Sequence, residues 1–577
     1  MEARTKLVLL VLAVSHALLC WAGATAQQMD SPVVNTVNGQ VRGTIKLTTD
    51  LPDKPIYTYY AIPYAAPPLG ELRLRPPEPA FPWGGVRDGT KLGPFCPQDM
   101  SLMEMEGLEV PIKLEHTNTS EDCLTINVYS PTLAENAALP VLLYIHGGGL
   151  MAGMGSHHGF EGLAAHQEVV VVTFNYRLGM LGFLSTGDKY APGNYGLLDQ
   201  VQAMVWVKDN IQSFGGNPDK VTLFGESAGG VSISYHYLSP MSKGLFHRGI
   251  SQSGIWQTMP FNTNPLSVAK SLADELKCTT MTTAAMMACL RTKPFDEIID
   301  KSNVLLERYA VEPFVPTLDG KFMRAHPMDL FERGDINKVD YIVGVNNHEF
   351  GWMLALAVAG ENYGSGMSQE DYTNFVQMVA YSKHQGPNLG KITEAILEEY
   401  RDPEKPDDPM AIQNQFTQMY GDSMFVAPAV LAAEKHTAAG ARVFLYENQY
   451  RPSVFHRRPD WAGSDHFDDM YMVSGLPFMQ PYDLPEPVSY SEDDKKVSLE
   501  IMSYWANFAR TGNPADTTGG PADSPTLPPW PEYTPDNPVY MKLGLEPTTA
   551  VGLKPQKMKL WNEIIPNLDI AAQKDEL

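Results

Sequence analysis

Lys220-Val221-Thr222-Leu223-Phe224-Gly225-Glu226-Ser227-Ala228-Gly229-Gly230-Val231-Ser232-Ile233-Ser234-Tyr235-His236 is the stretch on which the reading of this chain turns. Its centre is a G-x-S-x-G pattern. The residues ahead of it, Lys220 to Leu223, read as a short buried strand, and Val231 to His236 can open a helix. Strand, tight turn and helix in that order make a nucleophile elbow. The glycines beside Ser227 let the turn be sharp and let the helix lie close to its neighbours. The serine hydroxyl then stands at the top of a sheet, near a helix N-terminus where negative charge is favoured. The pentapeptide alone also fits a Gly/Ser turn without chemistry, so the rest of the chain decides.

A serine that transfers acyl groups needs oxyanion donors, a base and a group that orients the base. Donors are offered by His146-Gly147-Gly148-Gly149-Leu150, which follows the apolar run Val141-Leu142-Leu143-Tyr144-Ile145. Glycines let backbone N–H groups turn inward and approach a substrate oxygen closely. His146 reads as a residue that shapes this loop rather than as a proton carrier. For the orienting acid, Tyr341 to Val345 reads as a strand followed by Asn346-Asn347-His348-Glu349-Phe350-Gly351, where Glu349 is the one carboxylate. The base comes last in this chain order. After Glu349 stand His384, His436, His456 and His466. His384 lies in a polar context, His436 reads as helical and exposed, and His456 adjoins Arg457 and Arg458. His466, in a loop beyond the strand Arg442 to Tyr446, is the best placed.

Alternating strand and helix signals run from about Val33 to Ile565. Val33-Val34 and Gln40 to Gly43, around Asn38-Gly39, read as a hairpin. The apolar runs Val141 to Ile145 and Val169 to Phe174 suit central strands covered on both faces. Leu198 to Ile211 has helical spacing. The pattern is α/β with a mainly parallel sheet. A mainly helical region from about Pro265 to Met424 interrupts it and is placed to cap a site. Thr511 to Pro535 is polar and broken, and reads as surface loop.

The chain has 577 residues, 44% of them apolar and 19% charged, with a net charge of -24. The acidic balance excludes nucleic acid and anionic membrane surfaces as expected partners. No zinc-type cysteine pairing and no phosphate-binding loop is present, so neither a metal nor another cofactor is expected. Arg4, Lys6, the apolar run Leu7 to Leu19 and Ala24-Thr25-Ala26 make a signal peptide over residues 1–26. The run is short for a membrane span, and no transmembrane anchor is expected. Lys574-Asp575-Glu576-Leu577 is an ER-retrieval address, read by its receptor, which makes the lumen of the endoplasmic reticulum the expected compartment. Four cysteines remain after the signal, and they allow three pairings. Cys96 with Cys123 and Cys278 with Cys289 is the expected one, because both bonds close short local loops. Asn118-Thr119-Ser120 is an N-glycosylation acceptor inside the first loop.

With these motifs in order, the chain resembles the type-B carboxylesterases of the cholinesterase-like α/β-hydrolase family, and vertebrate microsomal liver-type carboxylesterases most closely. The resemblance runs through Tyr60-Ala61-Ile62-Pro63-Tyr64-Ala65, Glu121-Asp122-Cys123-Leu124, Asn175-Tyr176-Arg177-Leu178-Gly179 and Gly193 to Gln200. It continues through the Ser227 elbow to Trp530-Pro531-Glu532-Tyr533. It implies one α/β-hydrolase domain over residues 27–573, with helical cap or regulatory insertions. It implies Ser227 as nucleophile, Glu349 as acid, His466 as base, and Gly148, Gly149 and Ala228 as oxyanion donors. Both disulfides match the family's. The family usually has glycine after the histidine and glutamate two positions further on; Phe467 and Asp469 stand there instead. Phenylalanine cannot take every conformation open to glycine, so a displaced His466 loop is expected.

The implied activity is hydrolysis of small-molecule carboxylic esters through an acyl-enzyme. Quaternary ammonium groups are recognised by aromatic faces. The loop from Pro97 to Asp122 holds no Trp, Tyr or Phe, and offers Met100, Leu102, Met103, Met105, Leu108, Val110, Ile112 and Leu114. Broad apolar and aromatic esters, with amides and thioesters, are therefore expected rather than choline esters. Two alternatives stand beside this reading. One is a lipase or retinyl/cholesteryl-ester hydrolase on the same fold. The other is a catalytically silent, neuroligin-like binding protein, disfavoured by Ser227 and the retrieval tetrapeptide. A homo-oligomer is compatible with the sequence.

Overall fold

The computed structural model describes residues 30–100, 118–156, 159–309, 313–352, 365–383, 388–455, 458–479 and 489–568. The expected signal peptide, the retrieval tetrapeptide, His384, His456 and most of the apolar first disulfide loop lie outside these residues. Among the described residues one mixed sheet has 13 strands. In chain order these are β1 (Asp30–Thr36), β2 (Gly39–Lys46), β3 (Ile56–Pro63), β4 (Val86–Asp88), β5 (Thr125–Ser130), β6 (Leu139–Ile145) and β7 (Val170–Phe174). They continue as β8 (Gly216–Glu226), β9 (Arg248–Gln252), β10 (Asp340–Asn346), β11 (Val443–Asn448), β12 (Val539–Leu543) and β13 (Thr548–Val551). Across the sheet the order is β1-β2-β3-β5-β7-β6-β8-β9-β10-β11-β12-β13, with β4 beside β2. From β7 to β12 neighbouring strands are parallel, and the outer pairs are antiparallel, except that β4 runs parallel to β2.

The central strands are apolar throughout because both faces are covered. Side chains alternate between faces along a strand. Val141, Leu143, Ile145, Val170 and Val172 enter one core with Trp206, Val231 and Tyr235. Leu142, Tyr144, Val171 and Phe224 enter the other with Phe160, Leu163 and Trp505. Helices Tyr195–Asn210 and Ala228–Leu238 therefore cover one face, and Glu161–Gln167 and Glu492–Thr511 cover the other. The last of these starts at a capping box on Ser491 and stops at Gly512, whose φ is 80°. Burying a side chain of core size stabilises by roughly 1.5–3 kcal/mol.

Parallel strands deliver their carboxyl ends to one edge of the sheet, where ligands of open α/β folds bind. The loops after β6, β8, β10 and β11 all leave from that edge. The helical region expected from Pro265 is present between β9 and β10 and again between β10 and β11, where it runs on to Ala438. Its last part joins helices Pro409–Gly421 and Ala427–Ala438 through a π-turn, Asp422–Val426. Asp422 is fully buried. It accepts from Lys554 Nζ at 2.6 Å and from the Tyr400 hydroxyl at 3.0 Å. Trp561 Nε1 donates to the same tyrosine at 2.9 Å. Disulfides join Cys96 to Cys123 and Cys278 to Cys289.

One expectation fails. His436 is helical, as read, but it is 1% exposed. Its ring lies against Tyr237, Phe331 and Tyr341, which arrive from three other elements. Burial pushes its pKa down to about 3.

Candidate active site

Ser227 sits between β8 and the helix Ala228–Leu238, at φ 55° and ψ -122°. This is backbone that side-chain-bearing residues avoid, and such strain persists only where surroundings impose it. Here the Ser227 N–H donates to the Gln252 carbonyl of β9 at 2.8 Å, and its carbonyl accepts from Val231 at 2.9 Å to start the helix. Gly229 is needed for close approach: a Cβ there would lie 2.0 Å from the Ile145 carbonyl oxygen.

The loop after β6 lies against this elbow, since a Cβ on Gly147 would come within 3.2 Å of Ser227 Cβ. Gly148 has φ 93° and Gly149 φ 63°, both left-handed. The Gly148 carbonyl accepts from Met151 at 3.0 Å and Ala152 at 2.9 Å, closing a tight turn. Ala228 is the first residue of its helix, so its N–H is one of the four that no helical carbonyl accepts. Ala228 thus adjoins Ser227, and the turn that carries Gly148 and Gly149 follows Gly147, which packs against it. His146 stacks on Tyr176 at 4.2 Å, with its Nδ1 2.9 Å from the Gly147 oxygen, in line with a shaping role.

Glu349 and His466 are brought together. His466 Nδ1 is 2.6 Å from Glu349 Oε2, and both residues are buried. The other oxygen of Glu349 accepts from Ser253 Oγ at 2.5 Å and from the Asn346 N–H at 2.7 Å. The imidazole packs against two aromatic rings, with Phe350 stacked at 4.2 Å and Phe425 of the π-turn tilted at 4.8 Å. Its far nitrogen, Nε2, lies 3.0 Å from Glu226 Oε1, on the residue just before Ser227.

Sequence reasoning missed Glu226. It occupies the free position of G-x-S-x-G, and the signal was its adjacency to the serine: a carboxylate in an elbow is delivered to wherever the base arrives. Burial works against a charged imidazole, yet the carboxylates of Glu226 and Glu349 outweigh it and hold His466 up at about 9.

Phe467 adopts φ 81° and ψ -12°, the left-handed conformation that glycine would supply, and its ring meets Tyr471 edge-on. Asp469 is fully buried, and burial raises its pKa. Its carboxylate accepts from Tyr446 OH at 2.6 Å and Gln252 Nε2 at 3.0 Å. Those contacts tie the loop to β9 and β11.

Beside the Gly148 turn lies a cavity of about 240 Å³ lined by apolar Met151, Leu178, Ile298 and Phe314 and by acidic Asp99 and Glu307, among others. A larger surface groove, about 1020 Å³, runs between cap helices Gln369–Lys383 and Leu389–Tyr400 and includes none of the residues above.

Residues 30–561 match the carboxylesterase family. The chain is 39% identical to carboxylesterase 1D of Rattus norvegicus over 556 residues, which covers 92% of this chain and 93% of that protein. It is 37% identical to the pyrethroid hydrolase Ces2e of Rattus norvegicus over 552 residues, covering 95% and 92%. It is 37% identical to the cocaine esterase of Oryctolagus cuniculus over 544 residues, covering 94% and 97%.

Proposed function

Given that the chain belongs to the carboxylesterase family and hydrolyses carboxylic esters, we propose that Ser227 is the nucleophile, His466 the base and Glu349 the acid that orients it. The observation that carries this is the His466 ring: Nδ1 is held by Glu349 while Nε2 faces the residue preceding Ser227. Neutral His466 takes the proton of Ser227 as the hydroxyl attacks the ester carbonyl. Glu349 fixes the tautomer and stabilises the imidazolium. The N–H groups of Gly148, Gly149 and Ala228 receive the oxyanion; one such donor is worth roughly 3–4 kcal/mol of barrier. His466 returns its proton to the leaving alcohol, and water repeats the sequence on the acyl-enzyme. Only the neutral ring is a base, so activity falls as pH drops below the His466 pKa.

The substrates we propose are broad apolar and aromatic esters. The aromatic-free first disulfide loop supports this over choline esters. Relatives named for pyrethroids and cocaine are in keeping with it. We further propose cleavage of the signal after Ala26, glycosylation at Asn118, whose side chain is exposed, and retention in the reticulum lumen through Lys574–Leu577. Among the described residues no helix is long and apolar enough to cross a membrane. Fluorophosphonate labelling of the full chain and of Ser227→Ala tests the central assignment. Labelling and turnover should both vanish in the variant; a retained burst with an activated aryl ester would refute it.

A further inference from the structure

We infer that Asp465 is a positioning residue for ester hydrolysis, clamping the loop that carries Glu349 onto the loop that carries His466. This rests on the assignment of Glu349 and His466 above. Asp465 has no exposed surface. Its Oδ1 accepts from the Gly351 N–H at 3.0 Å and its Oδ2 from the Trp352 N–H at 2.9 Å. The same Oδ1 accepts from the backbone N–H of His466 at 2.7 Å. One carboxylate therefore holds the chain just after the acid and the chain at the base.

Three further hydrogen bonds between the two loops act on the opposite side of Glu349. His348 N–H donates to the Ser464 carbonyl at 2.9 Å, Ser464 N–H to Asn347 Oδ1 at 2.9 Å, and Gly463 N–H to His348 Nδ1 at 3.2 Å. They end at His348. On the trailing side of Glu349 the Phe350 ring stacks on His466 at 4.2 Å and Trp352 meets Trp461 edge-on at 6.2 Å, and Asp465 adds hydrogen bonds to the backbone there. Asp465 is itself held: its N–H donates to Asp468 Oδ2 at 2.9 Å, and Asp468 pairs with buried Arg458 at 2.7 and 2.9 Å. A carboxylate suits the position because three N–H groups converge on two acceptor oxygens. An asparagine would turn an NH₂ group toward one of them. A reacting group misplaced by about 1 Å costs about 10²-fold in rate.

The charge of Asp465 also reaches the imidazole, acting with Glu226 and Glu349 to favour imidazolium. Charged or titratable groups packed around these loops also include Asp469, Tyr446, the Asp468–Arg458 pair, His348, Lys554 and Asp422. Phe350 and Phe425 face the ring without charge.

The test is steady-state hydrolysis of a neutral aryl ester by full-length Asp465→Asn, Asp465→Glu and His466→Ala, with pH profiles and melting temperatures. Asp465→Asn should lose about 10- to 100-fold in kcat with KM within about threefold. Its acid limb should move to lower pH, because a negative charge beside His466 is gone. Asp465→Glu keeps the charge and should keep the limb while losing kcat; it carries the test if the Asn variant does not fold. A residue that only completes backbone hydrogen bonds would lower the melting temperature and leave both limb and kcat of the folded enzyme in place. That result, with His466→Ala inactive, overturns the inference alone. Unaltered turnover in His466→Ala overturns the underlying assignment and the inference with it.

Discussion

Glu226→Gln should move the two sides of the pH profile in opposite senses. In the free enzyme His466 Nε2 lies 3.0 Å from Glu226 Oε1, and His466 is held up at about 9. Against an ordinary 6.5 this is a preference for imidazolium of roughly 3 kcal/mol, left over after burial has opposed it. An opposite charge at this range moves a pKa by roughly 1–3 units. Glutamine keeps the shape and removes the charge, so the acid limb of kcat/KM should fall by about that much. On the proposed mechanism the same charge stabilises the imidazolium formed as Ser227 attacks. The plateau should therefore fall, by at most the factor by which the limb moves. Below the wild-type limb the two effects offset, and the variant should be as fast as the wild type or faster. The assay is kcat/KM for an uncharged aryl ester between pH 5 and 10. A lowered plateau with an unmoved limb, or a limb that rises, would refute the electrostatic reasoning.

Gly148→Ala should cut kcat by about 10²–10³-fold with a smaller change in KM, as when an oxyanion donor is lost. The added Cβ would lie 2.2 Å from the Ala152 oxygen at a φ of 93°, so the turn must move; near-normal kcat would remove Gly148 from the site. His236 and His436 are both pushed down to about 3 by burial. They stay neutral in the fold while the unfolded chain takes up protons near 6.5, so stability is intact above 6.5 and declines below it. At pH 5 the pair costs roughly 4 kcal/mol. His466 has the opposite sign: its contribution is full below 6.5 and is lost as pH rises through about 9. Calorimetry from pH 6.5 to 5 should show a falling melting temperature, and a flat one would contradict the burial of both rings. Asn118→Gln should abolish the mass shift caused by glycosidase, whereas an unchanged shift would move the glycan elsewhere.

The elbow and the glycine turn were legible because their chemistry is local. A left-handed turn and a close helix approach demand glycine at fixed spacing, so Gly148 and Gly229 advertise themselves. Chain order and the strands ahead of them singled out Glu349 and His466 as candidates, and the family resemblance supplied the roles proposed for them. What escaped depends on contacts between distant segments. Glu226 matters through a ring 240 residues later in the chain. Asp465 grips backbone more than a hundred positions earlier. His436 looked exposed because its neighbours on the helix are polar, while the aromatic rings that bury it come from elsewhere. Phe467 takes on the left-handed backbone itself, and the contacts of Asp468 and Asp469, the two residues after it, hold it there.

The π-turn at Asp422–Val426 gives the molecule a phase junction. A π-turn carries one residue more than α geometry allots, which rotates the downstream helix by about 100°. The helix before it belongs to the cap, and the helix after it lies on β10 and β11. Each can change its outward residues without turning the other. Phe425 stands at the junction itself, so its tilted contact with the His466 ring is insulated from drift in cap composition. Length is another matter. Loss of a single codon in an exposed turn is absorbed locally, but loss of one here would regularise the helix and swing the whole cap about the sheet.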